Sequence, residues 1–438
     1  MAQHGLLDSE TDSRALTLQG RLVKDRAKLS NGAERARLFA DSAALYAKAG
    51  SIDGASYSLI NAGSLSLLAG KKAASEKLAR DVLAALDDNP DEAETAYWLG
   101  ATRAEAMLLL GQYAEARAAL RKAVDKQPTA WEDQAATIGQ FEVLSQELQI
   151  DSGWLDAIRP PRSVQYAGIM DVAEKDTSAQ AQISDWLARE NVGFGFGALA
   201  AGSDIWIAEA LIERGAELHA VLPCSKDAFR DVSVGAIGEH WLPRFDRLIE
   251  QAATVEELQF AEKPDGASVT RAEAVACGMA VQSAHQLRSS AHSLRVAGLG
   301  ETDFGATCVD TKVVQVKRAA RVSRKPLKRG VGVCAIMHGD NGMGAFDNLE
   351  EALVAAQKSK SGAAIDYLPV ETNSVPELAI NRLAAMAEST GKGELYATSE
   401  AAFALLAGDH ELRIENLGEL RWAGGATPLY AIINSLQN

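Results

Sequence analysis

The chain has 438 residues and a formal net charge of −15, and 47% of its residues are hydrophobic. This length is too great for one ordinary core, so two to four domains are expected. The composition is that of a soluble globular protein, and no apolar run reaches the roughly 18 residues that span a bilayer. Residues 1–14 contain no apolar segment of the signal-peptide type. We therefore expect a cytoplasmic protein without a membrane partner.

The net charge argues against a nucleic-acid-binding protein, and the spacing of the cysteines and histidines argues against a metal site. An acidic chain does not attract nucleic acid as a whole. Residues 311–330 run against this trend, with eight Lys or Arg and no Asp or Glu. We interpret them as a solvated linker or a charge-protected edge strand, with phosphate contact as the alternative. The four cysteines form no Cys-x-x-Cys pair and the seven histidines have no metal-ligand spacing, so no metal site is predicted.

The first third of the chain has the pattern of consecutive helices. Apolar residues recur at helical spacing, and each helix ends at a glycine or at an Asn-Pro or Gln-Pro step. The turn Leu-Ala-Gly at 68–70 returns as Leu-Leu-Gly at 109–111. A period of about forty residues is typical of stacked helical hairpins.

Residues 98–128 resemble a tetratricopeptide repeat. The residues that carry the resemblance are Trp98, Leu99, Gly100, Gly111, Tyr113, Ala116, Ala123 and Pro128. The match is good for this repeat and loose for the two before it. The resemblance implies a scaffold that binds a protein partner, and the alternative is that these helices only brace the next domain.

Strand and helix patterns alternate in the middle of the chain, which predicts a Rossmann-like parallel sheet with crossover helices. Ligands in such sheets bind beyond the carboxyl ends of the strands. The Gly-Phe-Gly-Phe-Gly run at 193–197 falls within a predicted strand, so we reject an ordinary dinucleotide fingerprint. The turn at 200–204 is expected to present free backbone N–H groups to a phosphate or a ribose hydroxyl. Simple helix capping by Ser203 or Asp204 is the alternative.

Residues 162–300 resemble the SLOG superfamily of sensor domains, which is related to LOG-type nucleotide-processing enzymes. The shared pattern is a strand, a small glycine-rich turn with Asp, a helix ending in glycine and a strand ending in proline. The resemblance implies binding of a nucleotide-derived ligand. The candidate ligand-binding residues are Gly168, Gly197, Gly202, Ser203, Asp204, Pro223, Ser233 and Trp241. The catalytic PGGxGTxxE signature of the LOG enzymes is absent, and the alternative is a domain whose glycines serve packing alone.

Residues 330–435 resemble a class III nucleotidyl cyclase homology domain, an incomplete ferredoxin-like lobe. The segment HGDNGMGAFDNLEEALVAAQ is similar to the metal-binding hairpin and following helix of that family, with Asp340 in the Gly-Asp position. The first metal-binding aspartate of the family is not found. Asn381 matches the family, but Ala385 occupies the place of its arginine. The resemblance therefore implies a degenerate lobe without catalytic residues, which leaves a homodimer open because such lobes usually pair.

The predicted fold class is multidomain, with α and α/β regions. The domains are a helical-repeat domain at 1–155, a SLOG-like Rossmann domain at 160–300, a basic linker or edge segment at 301–329 and a degenerate cyclase-homology domain at 330–438. The function predicted from them is a signalling or sensor protein that binds a nucleotide-like ligand and a protein partner, without a further cofactor. The alternatives are an enzyme acting on nucleotides, as a residual cyclase or a hydrolase, and a purely structural scaffold. For the enzyme, the nearby acids are Glu209, Asp227 and Glu239.

Overall fold

The fold is multidomain, as the sequence predicts. A computed structural model describes residues 11–89, 92, 94–170, 172–173, 176–302, 305–308, 310–319, 333–338, 342–370 and 375–433. The chain divides into two compact units, Met1–Pro160 and Pro161–Gln437. The first unit is helical, and the second contains a central parallel sheet and a C-terminal mixed sheet. Among the described helices, none combines the length and the apolar composition needed to cross a membrane.

The described part of the first unit consists of helices joined by short turns. Its α-helices are α1 (Ser13–Lys28), α2 (Gly32–Asp53), α3 (Ser56–Leu68), α4 (Lys72–Asp88), α5 (Ala96–Leu109), α6 (Tyr113–Lys126) and α7 (Trp131–Glu147). Gly70 and Gly111 both have φ of +75°, and each follows a helix end, where this conformation favours glycine. A Cβ on Gly100 would lie 2.7 Å from that of Ala123, so the glycine allows α5 and α6 to approach closely. The prediction of a helical N-terminal region is confirmed.

The central sheet is parallel throughout its described strands. These are β1 (Arg162–Ala167), β2 (Val192–Gly197), β3 (Glu217–Leu222), β4 (Thr254–Glu257), β5 (Ala291–Gly298) and β6 (Asp310–Val316). The helices between them are α8 (Thr177–Arg189), α9 (Ser203–Glu213), α10 (Lys226–Phe229), α11 (Leu242–Gln251) and α12 (Gly266–Gln286). The strand order is β4-β3-β2-β1-β5-β6. The chain builds outward from β1 to β4, then crosses back through α12 to β5, so the order reverses between β1 and β5. Parallel sheets bind ligands at such a reversal.

The glycine run of β2 serves packing within the sheet. A Cβ on Gly195 would lie 2.2 Å from a methyl group of Leu211 in α9. A Cβ on Gly197 would lie 2.6 Å from the carbonyl oxygen of Tyr166 in β1. The run therefore lets α9 and β1 approach β2, and it lies within the strand as the sequence predicts.

The basic segment begins in the central sheet. Its first residues belong to β6, which pairs with β5 and forms one edge of the sheet. Residues 320–330 of the segment lie outside the described residues. The described part thus includes an edge strand in the region that the sequence assigns to a linker or an edge segment.

The second sheet is mixed. Its described strands are β7 (Val333–His338), β8 (Met343–Phe346), β9 (Ala363–Leu368), β10 (Leu395–Thr398), β11 (Arg413–Trp422) and β12 (Gly425–Ile433). The helices that accompany them are α13 (Leu349–Gln357), α14 (Glu377–Ser389) and α15 (Ser399–Gly408). The strand order is β11-β12-β10-β9-β7-β8, in which β9 and β10 are parallel and the other neighbours antiparallel. Asp340, the candidate cyclase aspartate, lies outside the described residues.

Helix α12 packs against both sheets, which explains why they belong to one compact unit. A Cβ on Gly278 would lie only 1.9 Å from the carbonyl oxygen of Phe403, so the backbones of α12 and α15 are in direct contact. Arg271 of α12 is fully buried, and it donates hydrogen bonds to the carbonyl oxygens of Tyr367 in β9, at 3.1 Å, and of Gln259. The crossover helix of the central sheet is therefore also a packing layer for the C-terminal sheet.

Candidate functional site

A cavity of about 560 Å³ lies at the carboxyl ends of β1, β2 and β3, and α12 forms one of its walls. Most of its lining is apolar. The polar side chains in the lining belong to Tyr166, Asp204, Ser233, Glu273 and Arg318. The cavity occupies the edge at which the strand order reverses, where parallel sheets usually bind ligands.

Five of the eight candidate residues from the sequence line this cavity. They are Gly168, Gly197, Asp204, Pro223 and Ser233. The three that are not among its lining residues are Gly202, Ser203 and Trp241. Gly168, Gly197 and Pro223 come together because the parallel topology collects the carboxyl ends of successive strands at one edge. Asp204 reaches the same edge from the first turn of α9, and Ser233 from the segment that follows β3.

Ser203 and Gly202 join the loop after β1 to the start of α9. The Ser203 hydroxyl accepts a hydrogen bond from the amide of Ile169 at 2.7 Å and donates one to its carbonyl oxygen at 3.0 Å. Gly202 has φ of +103°, and a Cβ there would lie 2.6 Å from the same carbonyl oxygen. Trp241 is buried elsewhere, with the guanidinium of Arg244 at 4.4 Å from its ring centre. These three residues therefore shape the domain without contributing to the lining.

The sequence predicts that the backbone N–H groups at 200–204 are free to bind a ligand. This prediction is wrong for three of these amides. The Ala201 amide donates to the carbonyl oxygen of Ser233 at 3.0 Å. The Ser203 amide donates to a carbonyl oxygen of the β1 loop at 3.1 Å. The Ala200 amide donates to Oδ2 of Asp204 at 3.3 Å. Two carbonyl oxygens of neighbouring segments and the Asp204 side chain of α9 satisfy these amides, so the amides are not available to an anion.

Asp204 is the most unusual polar group of the cavity. It is 7% exposed, and its Oδ1 has no hydrogen-bond partner among the described residues. Burial raises the pKa of Asp204 to about 7, and the Glu273 carboxylate adds to this rise, while the Ala200 and Gly168 amides and the Arg295 guanidinium oppose it. The hydroxyl of Tyr166 is also buried without a described partner, and burial and the nearby Asp204 both raise its pKa. Buried polar groups in this state favour a ligand that supplies the missing hydrogen bonds.

The charged side chains that line the cavity differ in exposure, because the Glu273 side chain is more buried than that of Arg318. Glu273 projects from α12, with its carboxylate 3.6 Å from the guanidinium of Arg295. Arg318 follows β6, and its partly exposed guanidinium donates to both oxygens of Glu301, at 2.8 and 3.0 Å. The cavity therefore combines a buried acidic end with a cation at its more exposed edge.

Sequence reasoning missed the three other polar residues of the lining, which are Tyr166, Glu273 and Arg318. It also missed Ala272, whose small side chain leaves room in the cavity. Tyr166 had a usable signal because it lies two positions before Gly168, at a predicted strand end. Glu273 had none, since it lies inside a long alanine-rich helix without a local motif.

The acids nominated for an enzyme do not line the cavity. Glu209 accepts hydrogen bonds from Arg244 and Arg247, both at 2.8 Å. Asp227 and Glu239 are exposed. The acids that the structure does place at the cavity are Asp204 and Glu273.

No model of a known protein family matches the chain, and no curated protein matches it either. In the stretches of chain that the structure describes, no group of three or more His, Cys, Asp or Glu side chains is placed to hold a metal ion. The fold and the cavity define a multidomain protein that has a helical region, a Rossmann-like parallel sheet with a cavity of ligand size, and a mixed sheet.

Proposed function

We propose that the central cavity binds a small nucleotide-derived ligand and that the protein is a sensor or signalling protein. The cavity at the strand reversal is the observation that carries this proposal. Its volume of about 560 Å³ lies within the roughly 300–1,000 Å³ of small-molecule sites. Its mostly apolar lining and its few buried polar groups are also typical of such sites.

The polar groups define the chemistry of the ligand that we propose. Oδ1 of Asp204 accepts hydrogen bonds, so it suits a sugar hydroxyl or the amino group of a base. It does not suit a phosphate, because two negative groups repel each other. The apolar walls suit the faces of a base. Arg318 at the more exposed edge suits a phosphate, since a guanidinium binds phosphate oxygens in pairs.

We assign the remaining regions roles that agree with the resemblances. The helical unit is proposed to be a tetratricopeptide-like scaffold that binds a protein partner, and the central sheet to be a SLOG-like sensor domain. The C-terminal sheet is proposed to be a degenerate cyclase-homology lobe that regulates the protein or pairs two copies of it. Arg382 of α14 and Asp366 of β9 form a buried ion pair at 2.6 Å, which supports a packing role for these charges.

Filling the cavity should weaken ligand binding. Ala272 of α12 lines the cavity and is 4% exposed. Ala272→Phe places a ring in the empty space, and we expect affinity to fall by about tenfold or more, a change of at least about 1.4 kcal/mol. The measurement is a thermal-shift screen of the wild type against nucleosides, nucleoside monophosphates, cyclic nucleotides and dinucleotides, followed by calorimetry of each hit with both proteins.

Gln286→Leu is the matched control, since it adds an apolar side chain to the same helix at an exposed position. The control should bind each hit as the wild type does. Absence of any saturable shift with wild-type protein would contradict the proposal and favour the structural scaffold. Conversion of a hit to product would favour the enzyme, with Asp204 and Glu273 as its acid–base candidates.

The ion pair at the cavity edge should tune the preference for phosphate. The Glu301 carboxylate already accepts two hydrogen bonds from the guanidinium of Arg318, so a ligand phosphate must compete with this carboxylate. We expect Glu301→Gln to raise the affinity for a nucleoside monophosphate by up to about fivefold, because a surface ion pair contributes up to about 1 kcal/mol. Calorimetry should show no such gain for the corresponding nucleoside, which lacks the phosphate. Equal gains for both ligands would argue against a phosphate at this edge.

A further inference from the structure

Two buried thiols lie in contact beside the cavity. The sulfur atoms of Cys277 and Cys308 are 3.6 Å apart, and the two residues are 0% and 2% exposed. Cys277 lies in the middle of α12, one position after Ala276, which lines the cavity. Cys308 lies in the connection between β5 and β6. We propose that this pair is an oxidisable dithiol that closes to a disulfide and cross-links the cavity helix to the β5–β6 connection.

Backbone hydrogen bonds tie both cysteines to the central sheet and its crossover helix. Cys277 is fixed by the hydrogen bonds of α12. The amide of Cys308 donates to the hydroxyl of Ser293 at 2.8 Å, and that hydroxyl donates to Gln165 in β1 at 3.0 Å. The sulfurs must approach by roughly 1.5 Å to reach the S–S length of about 2.05 Å. This approach is small enough for side-chain rotation and a slight shift of the connection.

The surroundings favour a thiolate at Cys308. A hydrogen bond from the Cys277 thiol lowers the pKa of the Cys308 thiol against the opposing effect of burial, and the nearby guanidinium of Arg295 lowers it further. The thiolate is the nucleophile in oxidation by peroxides and in exchange with disulfides. Cys308 is therefore the attacking sulfur, and Cys277 resolves the intermediate.

The step balances with hydrogen peroxide as the oxidant. The Cys308 thiolate attacks one peroxide oxygen, an S–O bond forms as the O–O bond breaks, and one water leaves after it takes up a proton. The Cys277 sulfur then attacks the sulfenic acid, the S–S bond forms as the S–O bond breaks, and a second water leaves. Two thiols lose two electrons and two protons, and one peroxide becomes two waters.

This proposal does not depend on any ligand of the cavity. Reduced full-length protein is treated with hydrogen peroxide, the remaining thiols are alkylated in denaturant, and the digest is mapped by mass spectrometry without reduction. The expected result is a cross-linked peptide pair that contains Cys277 and Cys308, and its loss after treatment with dithiothreitol. Recovery of both residues fully alkylated, or as sulfinic acids, would overturn the proposal.

Two variants keep the test specific. Cys224 is also buried, but its thiol donates a hydrogen bond to the carbonyl oxygen of Ser225. Cys224→Ser should therefore form the same cross-linked pair as the wild type. Cys308→Ser should yield no cross-linked peptide that contains Cys277. A cross-link between Cys277 and any other cysteine would also count against the proposal.

Discussion

Asp204→Asn should make the protein more stable than the wild type at pH 8, by about 4 kcal/mol in the free energy of unfolding, and should have little effect at pH 4. The pKa of Asp204 is about 7 in the folded chain and 3.8 is the ordinary value of an aspartate. The asparagine keeps an oxygen that can accept the hydrogen bond from the Ala200 amide, and it carries no charge at any pH.

The expected gain in stability of Asp204→Asn follows from the number of protons that the folded and the unfolded wild type bind. An acid whose pKa is higher in the folded chain binds more protons there, so the stability of the wild type falls as the pH rises from about 4 to 7. Above pH 7 the acid is ionised in both states and the loss is complete. The asparagine variant lacks this dependence, so the difference between the two proteins grows over that range and then levels off.

Urea unfolding of both proteins at intervals between pH 4 and 8 measures the effect. Asp185→Asn is the matched control, because Asp185 is exposed on α8, and its stability should follow that of the wild type throughout. A difference between Asp204→Asn and wild type that stays constant with pH would show that burial of the Asp204 charge does not destabilise the fold. Evolution retains a destabilising buried acid most readily where function requires it.

Gly278→Ala should destabilise the protein by about 2–3 kcal/mol, the cost of overpacking a tight contact. In an isolated helix the same substitution would stabilise by up to about 1 kcal/mol. In this protein we expect a loss of stability instead, because the added Cβ would lie 1.9 Å from the carbonyl oxygen of Phe403. A backbone atom cannot rotate away, so α12 and α15 must separate.

Gly408→Ala is the control for this substitution. Gly408 is the last residue of α15, and a Cβ there would have no atom within 4 Å. Urea unfolding should show no loss of stability for Gly408→Ala and a large loss for Gly278→Ala. Equal stability of the two variants would mean that α12 and α15 do not pack closely in solution. The prediction thus tests whether the two sheets share one helix layer.

The regular parts of the fold were predictable because each element carries its own pattern. The helices before Pro160 and the strands β1, β2 and β3 all show their periodicity in the sequence. β4 was not predicted, since it has only four residues and most of them are exposed. It forms because the edge of β3 offers hydrogen-bond partners, and this is a tertiary effect.

The sequence by itself determined the helical first region, the strands β1, β2 and β3 of the parallel sheet, and three lining residues at strand ends, Gly168, Gly197 and Pro223. These three were predictable because parallel topology brings the strand ends to one edge. Only the tertiary structure decided the character of the site. It brought Glu273 and Asp204 to one cavity, satisfied the Ala201 and Ser203 amides with carbonyl oxygens of neighbouring segments, and put Cys277 against Cys308. It also made α12 a shared layer between the two sheets. These contacts join residues that are far apart in the chain. The periodicity of a single sequence indicates local helices and strands, but it does not indicate which distant residues meet.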